Sequence, residues 1–346
     1  MKRNDELLLA AIQRQSREVL REAIGRDASD VILLDFPRHK NAGDALIYSG
    51  ERSHLASLGL NRTYTVDIGR YDLARLRRAP SDSVVLFHGG GNLGDVWPEY
   101  QEFREAVIPA LHGRKIVVLA QSTMFTDPEK AKRANRAFAN HGEVTVLLRD
   151  HASMERAETY LPDVRTVFCP DMAFGNDPMN RIGDARHRVL FLSRTDKEKA
   201  DEISEQSRDS APVRTTDWES GMSGIDQLKW GALKIPGIVH KRVPATRTHL
   251  DGHLAKSLES MCDLNLHSAR KIISQGSVLV TDRLHAHVFA LLMDIPHVVL
   301  DNNYGKISSV FDAYSGQFST ANMADSIEGG LAKADGLYGT LLESAA

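Results

Sequence analysis

The residues best able to do chemistry lie in short segments that directly follow apolar, β-branched runs. Three consecutive glycines stand in His88-Gly89-Gly90-Gly91-Asn92-Leu93-Gly94-Asp95, after the run Ser83–Phe87. Glycines let backbone amides approach an anion closely, and the N-terminus of the helix expected from Pro98 adds partial positive charge. We therefore expect an anionic ligand at this segment. The alternative is a tight strand-to-helix turn that holds no ligand.

The same glycines also match the spacing GxGxxG of a dinucleotide site. That motif needs an acidic residue after the next strand, but the run Lys115–Ala120 continues into Gln121-Ser122-Thr123. The glycines also follow the third predicted strand, whereas a dinucleotide fold uses its first. We therefore exclude a dinucleotide cofactor.

A second segment, Thr281-Asp282-Arg283-Leu284-His285-Ala286-His287, joins a predicted strand to a helix. Arg283 can grip a carboxylate or phosphate with two parallel hydrogen bonds, and His285 can exchange a proton near neutral pH. His285 and His287 do not share a helix face, so they do not indicate a metal site. A lone histidine is usually structural, but its place beside Arg283 at a strand end favours a function.

Further polar residues follow other predicted strands. After the first strand, Arg38, His39 and Lys40 gather near Asp44, which could cap the helix Ala45–Leu58 or act in a site. Cations, hydroxyls and acids follow three more strands: Arg149-Asp150, Ser193-Arg194 and Asp301 to Lys306. Since parallel strands end at the same edge of a sheet, these groups are expected to share one cleft.

The hydrophobic pattern indicates a helix over 5–24 and then repeated strand-helix units, which favour parallel sheets. The predicted strands are Asp30–Phe36, Thr63–Ile68, Ser83–Phe87, Lys115–Ala120, Glu143–Leu148, Val164–Phe168, Arg188–Leu192, Ser277–Val280 and His297–Leu300. A polar turn cluster between 175 and 187 separates the expected domains, 1–178 and 186–346, and residues 207–249 form an insertion in the second. The fold class is therefore α/β, with two Rossmann-like parallel-sheet domains facing a cleft.

Composition excludes several classes of protein. The chain has 346 residues with 43 Lys plus Arg against 46 Asp plus Glu, a net charge of −3, which gives no global electrostatic reason to bind nucleic acid. The cysteines, Cys169 and Cys262, lack metal-ligand spacing, and the apolar run Leu7 to Ile12 is too short for a secretory signal. A cytoplasmic protein without a membrane span is expected.

One segment, 227–250, lacks acidic residues and mixes cations with Trp230 and aliphatic side chains. This composition is typical of an interfacial segment, so it predicts a peripheral contact with an anionic membrane face or with the diphosphate of a lipid-linked acceptor. The alternative is an ordinary surface loop.

Taken together, the motifs resemble the polysaccharide pyruvyl transferase family from about residue 33 to 312. The resemblance rests on five segments in order: Asn41-Ala42-Gly43-Asp44-Ala45-Leu46-Ile47, Gly89-Gly90-Gly91-Asn92-Leu93-Gly94-Asp95, Arg149-Asp150 with Ser153, Pro170-Asp171, and Thr281-Asp282-Arg283-Leu284-His285-Ala286. One position departs from the family pattern, because Lys40 stands where a glycine commonly precedes the asparagine.

The resemblance implies a GT-B-like fold, phosphoenolpyruvate as donor and a sugar diol as acceptor, joined as a cyclic pyruvate ketal without a metal or a resident cofactor. It associates Arg283 and His285 with donor binding and catalysis. We assign His285 as the acid and His88 or Asp44 as the base. The expected donor-binding residues are Arg283, Arg149, Gly89, Gly90, Gly91, Asn92, Ser193, Arg194 and Lys306, and the expected acceptor-binding residues are Asn41, Asp95 and Asn303.

Two alternatives remain at the level of sequence. A GT-B glycosyltransferase using a nucleotide sugar would need a ribose partner after a strand of the second half, for which Asp301 is available. A non-catalytic carbohydrate-binding protein would keep the fold but would not need both Arg283 and His285.

Overall fold

A computed structural model describes residues 1–193, 213–216, 218–243, 247–301 and 305–345. Helices and strands are numbered here in chain order. The helices are α1 (Arg3–Ile24), α2 (Ala42–Ser57), α3 (Leu73–Arg78), α4 (Pro98–Val107), α5 (Pro128–Ala139), α6 (His151–Tyr160), α7 (Gly224–Leu233), α8 (Ile235–Arg242), α9 (Arg247–Ile273), α10 (Leu284–Leu292), α11 (Lys306–Ala313) and α12 (Ile327–Ala345). The strands are β1 (Asp30–Leu34), β2 (Asn61–Val66), β3 (Val84–Phe87), β4 (Gly90–Gly94), β5 (Ile116–Met124), β6 (Val144–Leu148), β7 (Arg165–Phe168), β8 (His187–Leu192), β9 (Val213–Thr216), β10 (Gly276–Thr281), β11 (His297–Leu300) and β12 (Ala321–Ala324).

The strands form two parallel sheets. The first has the order β2-β1-β3-β5-β6-β7, with β4 beside the second half of β5, and the second has the order β12-β11-β10-β8-β9. Each predicted strand is present, and the α/β class with two Rossmann-like sheets is confirmed; the arrangement is consistent with a GT-B-like fold. In the described part of the chain, no helix is long and apolar enough to cross a bilayer.

Three strands were missed by the sequence analysis, and each lacks a strong apolar run. Strand β4 is the glycine-rich segment itself, whereas β9 and β12 are short edge strands of the second sheet. The described part of the predicted insertion contains helices α7 and α8 as well as β9. Gly224 and Pro236 lie in the first turns of these helices, whereas Gly231 and Gly237 lie inside them.

Alternating side chains bury both faces of each sheet. In β1, Val31 and Leu33 belong to one apolar cluster, and Ile32 and Leu34 belong to another. The first cluster continues into the second sheet through residues such as Leu190. One apolar core is therefore shared by both halves of the chain.

Helix α1 crosses from one half to the other. Near its start, the Asp5 carboxylate accepts hydrogen bonds from the Ser319 amide at 2.9 Å and from the Ser319 hydroxyl at 2.6 Å. Near its end, Arg21 donates to the Leu58 carbonyl at 3.3 Å, just after α2. The amphipathic helix predicted at the N-terminal end thus contacts both halves.

Candidate active site

The centre of the candidate site is a buried carboxylate that joins the two halves. Asp171, three residues after β7, accepts from Arg149 Nη1 at 2.6 Å and contacts His285 Nε2 at 3.4 Å through the same oxygen, Oδ2. Arg149 directly follows β6, and His285 lies in the first turn of α10, after β10. The carboxyl ends of both sheets therefore meet at His285, Asp171 and Arg149.

Asp171 is fixed as an ionised acceptor. Its Oδ1 accepts from the Ala173 amide at 2.8 Å, and its own amide donates to the Tyr314 hydroxyl at 3.0 Å. Burial opposes ionisation, but the Arg149 guanidinium and His285 outweigh it and hold the pKa of Asp171 well below its usual range. A carboxylate held in this way can orient the His285 ring.

His285 also contacts the first turn of α2 across the cleft. A side-chain Cβ built on Gly43 would lie 2.7 Å from His285 Nδ1 and 3.0 Å from its Cβ and Cγ. Any residue larger than glycine at position 43 would therefore displace the ring. Gly43 keeps space at one imidazole nitrogen while Asp171 contacts the other.

Arg283 lies at the same edge of the second sheet. Its Nε donates to the Ser193 carbonyl at 3.4 Å, and its guanidinium lies 5.9 Å from the centre of the Trp218 ring. Among the described residues, the Arg283 side chain makes no capping hydrogen bond to the first turn of α10, so this end of the helix keeps its partial positive charge for an anion. The structure thus brings together Arg283, Ser193 and His285.

His88, the first predicted base, is buried and paired. Its Nδ1 lies 2.9 Å from Glu51 Oε2 and 3.0 Å from Oε1, and the Gly89 amide donates to the same carboxylate at 2.8 Å. Burial opposes the charged imidazolium, but Glu51 outweighs it and raises the pKa of His88. Because its side chain is buried and its Nδ1 is already paired with Glu51, His88 is poorly placed to accept a proton from a sugar hydroxyl.

The glycine-rich segment, in which we predict an anion-binding site, forms strand β4. The Asn92 amide donates to Gln121 Oε1 at 3.1 Å, and the Gly94 amide to Gln101 Oε1 at 3.3 Å. A Cβ on Gly89 would lie 2.8 Å from the Ala120 carbonyl of β5. The glycines thus permit close pairing of strands, and several of the expected anion donors already have partners within the chain.

Asn92 is held from both sides. Its side-chain carbonyl accepts from Gln121 Nε2 at 3.1 Å and from Arg104, which also donates to Asp35 at 3.0 Å. Asp35 has a left-handed backbone with φ of 68°, and burial raises its pKa to about 7. These contacts fix the position of Asn92 in the first half of β4.

Of the two roles left open for Asp44, the capping of α2 is excluded. Asn41 is the cap: its Oδ1 accepts from the Gly43 amide at 2.9 Å, and the helix begins three residues earlier than predicted. Asp44 instead lies in the first turn, where it accepts from Asn41 Nδ2 at 2.8 Å and contacts His39 Nε2 at 3.3 Å. The Asp44 side chain is 24% exposed. It lies beside the cleft, because the neighbouring residue Gly43 approaches His285.

The other predicted residues make contacts within other elements or lie outside the described residues. Asp95 accepts from the Thr126 and Asp127 amides at 2.8 and 2.9 Å, which ties β4 to the loop before α5. Arg194 and Asn303 lie outside the described residues, and Lys306 begins α11. Asp301 accepts from the Ile307 and Ser308 amides at 3.3 Å. Asp301, the acid with which a nucleotide-sugar transferase would bind the ribose, thus already accepts hydrogen bonds from the first turn of α11.

Two residues at the site, Asp171 and Glu51, were not assigned a role from the sequence. Asp171 nevertheless lies in the segment Pro170-Asp171, which contributes to the family resemblance. A signal for Asp171 was present, because it follows a predicted strand, as Arg149 does. Glu51 lies in the middle of α2 and has no local signal, since only the tertiary fold brings it to His88. Within the described ranges, no three His, Cys, Asp or Glu side chains form a group that could hold a metal ion.

This combination of two parallel sheets with Arg, His and Asp at their facing carboxyl ends defines an α/β enzyme site between two halves. The family model for polysaccharide pyruvyl transferases matches residues 41–304, which contain all the residues of the centre. The chain belongs to the polysaccharide pyruvyl transferase family and is an enzyme of that family.

Individual proteins agree with this assignment. The chain is 26% identical over 286 residues to "Putative pyruvyl transferase EpsO" of Bacillus subtilis, covering 83% of this chain and 85% of that protein. It is 27% identical over 297 residues to "Pyruvyl transferase 1" of Schizosaccharomyces pombe, covering 82% of this chain and 69% of that protein. A solved structure of a functionally uncharacterised Klebsiella pneumoniae protein has the same fold, with a TM-score of 0.58, 17% identity and coverage of 91% and 99%.

Proposed function

We propose that the protein transfers the enolpyruvyl group of phosphoenolpyruvate to two hydroxyls of a sugar, forming a cyclic pyruvate ketal during polysaccharide biosynthesis. The observation that carries this proposal is the contact of His285 with Asp171 beside Arg283. It supports the proposal because a histidine able to exchange a proton, a carboxylate able to orient it and an arginine able to bind an anion lie together where the carboxyl ends of both sheets meet.

The donor carries a carboxylate and a phosphate, for which Arg283 and the uncapped start of α10 supply cationic and amide donors. The His285 imidazolium, oriented by Asp171, gives its proton to the enol methylene, which leaves a cationic carbon. The first sugar hydroxyl attacks this carbon as its proton passes to Asp44. We favour Asp44 over His88 as the base because Asp44 is partly exposed beside Gly43, whereas His88 is buried and paired with Glu51.

The cycle closes when phosphate leaves and the second hydroxyl attacks the same carbon. The proton of that hydroxyl returns to His285, and the proton held by Asp44 leaves with phosphate. The products are the ketal and inorganic phosphate, so atoms and protons balance. We place the reaction in the cytoplasm, in agreement with two buried, unpaired cysteines, Cys169 and Cys262.

The test incubates the protein with phosphoenolpyruvate and a panel of free and lipid-linked galactosides, glucosides and mannosides, followed by mass spectrometry and a phosphate assay. We expect a ketal on one class of acceptor, with equal release of phosphate. Arg283→Ala should weaken phosphoenolpyruvate binding by about 10-fold or more, and Arg283→Lys should restore little, because an ammonium cannot form the fork.

A matched control is Arg188→Ala, which removes an exposed arginine of the same sheet. It should leave donor binding unchanged. Stabilisation of the protein by UDP, GDP or CMP but not by phosphoenolpyruvate, in a thermal-shift measurement, would instead support a nucleotide-sugar transferase. Near-native affinity for phosphoenolpyruvate in Arg283→Ala would contradict the assigned role.

A further inference from the structure

Exposed apolar side chains are concentrated on one small part of the surface. Among the residues that the structure describes, seven large apolar side chains are exposed, and five of them lie in α7, α8 and the residue after α8: Ile225, Leu228, Ile235, Ile238 and Val243. We call this the 225–243 surface. Isolated exposed apolar residues are normal, but a cluster of this kind marks an interaction site.

The exposed residues follow helical spacing. Ile225 and Leu228 are three apart in α7 and are 67% and 77% exposed, and Ile235 and Ile238 repeat this spacing in α8 at 57% and 44%. Each helix therefore directs an apolar stripe outward, where a surface helix normally places polar residues.

The opposite face of the helix pair is firmly packed, so this orientation is fixed. Trp230 and His240 are buried, and the Ser257 hydroxyl of α9 donates to the Leu233 carbonyl. The Gly237 carbonyl accepts from Arg70 Nε at 2.8 Å. Trp230, which the sequence suggested as part of an interfacial segment, is thus a core residue, and the aliphatic side chains form the exposed face.

Cations alternate with the exposed apolar residues. Lys229, Lys234, Lys241 and Arg242 are all exposed, each next to or within one turn of the apolar stripe. The one acidic residue of the 225–243 surface is Asp226, which is bonded to Ser223 at the start of α7, and no acidic residue occurs from 227 to 250. The core of a protein interface is depleted of lysine, whereas lysine beside aliphatic residues is typical of a helix that lies in a membrane surface. Charge and pattern together point to anionic lipid.

The surface is attached to the carboxyl end of strand β2. Arg70, which donates a hydrogen bond to the Gly237 carbonyl of α8, lies four residues after the end of β2. It forms an ion pair with Asp67, the first residue after that strand. Asp251 of α9 pairs with Arg75 of α3 on the same side. The helix pair therefore extends the carboxyl edge of the first sheet, the edge that carries Arg149.

We propose that the 225–243 surface docks on a bilayer rich in anionic lipid, with α7 and α8 lying in the plane of the headgroups. Docking presents the carboxyl edge of the first sheet to sugars that are anchored in the same bilayer. The presentation of this edge to membrane-anchored sugars rests on the proposed function, whereas the binding of lipid does not.

The test is co-sedimentation of the full chain with vesicles of phosphatidylcholine alone or mixed 7:3 with phosphatidylglycerol. We expect binding to the anionic vesicles that falls as NaCl is raised, because the cations are exposed to screening. Neutralising Lys234, Lys241 and Arg242 to Gln should weaken binding by about 10²-fold, since each cation near the surface contributes about five-fold.

A second variant, Leu228→Ser with Ile235→Ser, tests the apolar stripe and should weaken binding to a similar degree. The matched control changes exposed apolar residues elsewhere, Leu7→Ser with Leu342→Ser, and should bind as the native protein does. Circular dichroism checks that each variant folds.

Absence of native binding to the anionic vesicles, or equal binding by both surface variants and the control, would overturn the proposal and leave a protein partner as the occupant. Vesicle binding without pyruvyl transfer would contradict the proposed function alone. Transfer to free but not to lipid-linked sugars would contradict the orientation stated above.

Discussion

Replacement of Gly43 by alanine tests the candidate site through a single methyl group. Gly43 lies in the first turn of α2, and its φ is not in the left-handed region, so the backbone accepts alanine. The added Cβ would lie 2.7 Å from His285 Nδ1 and 3.0 Å from two of its carbons. Alanine stabilises the helix relative to glycine, but its methyl group takes up space that the His285 imidazole occupies.

The size of the effect follows from these distances. Ordinary contacts begin near 3.4 Å, so the ring must move by several tenths of an ångström from the position in which it contacts Asp171. Displacement of a reacting group by about 1 Å can cost about 10²-fold in rate, which corresponds to about 2.7 kcal/mol of activation free energy. The overpacking cost of about 1–3 kcal/mol is partly offset by the helix propensity of alanine, about 1 kcal/mol.

The assay measures initial phosphate release from phosphoenolpyruvate with the acceptor found in the panel, together with the thermal midpoint. We expect kcat of Gly43→Ala to fall by about 10²-fold with a small change in stability. Gly339→Ala is the matched control: this glycine also lies in a helix, and no atom approaches the position of its Cβ within 4 Å. It should retain full activity.

Native kcat in Gly43→Ala, with the fold intact, would show that His285 does not need its observed position, and the role of His285 as acid would be refuted. An equal loss of rate in Gly339→Ala would show that the effect of the first variant is not local to the site.

Three further predictions concern stability and pH. Asp171→Asn leaves the Arg149 guanidinium buried without its carboxylate and should lower the free energy of unfolding by about 3–5 kcal/mol, measured in urea. Burial lowers the pKa of His297 to about 4, so the unfolded state, with a pKa near 6.5, takes up the proton first as the pH falls. This histidine should therefore contribute about 3 kcal/mol of stability loss between pH 6.5 and 4, and the unfolding free energy of His297→Gln should depend less on pH over that interval. Gly94→Ala should destabilise far more than Gly113→Ala: both have positive φ, but only at Gly94 would the added Cβ meet a backbone carbonyl of β5. Equal urea midpoints for these two variants would contradict the close pairing of β4.

Strand positions were predictable from sequence because parallel strands buried on both faces give continuous apolar runs. Val84–Phe87 and Val144–Leu148 are such runs, and both are present within one residue of the predicted bounds. Strand β4 was missed, since its glycines pair with β5 through the backbone alone and carry no apolar pattern. Periodicity detects side-chain burial and not backbone pairing.

The site was predictable where its residues directly follow strands, as Arg149 and Arg283 do. The link between His285 and Asp171 depends on how the two sheets pack against each other, which no local pattern encodes. Local sequence was also insufficient to identify the cap of α2. Asn41 and Asp44 are both good capping residues, and only the backbone conformation at 41 decides between them.

Helix α1 has a consequence for how substrates enter. It is bonded to Ser319 of the second half near its start and to the end of α2 near its own end. A wide rotation of one half away from the other would have to break these bonds and split the shared apolar core. Admission of a sugar and release of the ketal are therefore expected to proceed by small sliding adjustments of packed elements, a shear motion and not a hinge.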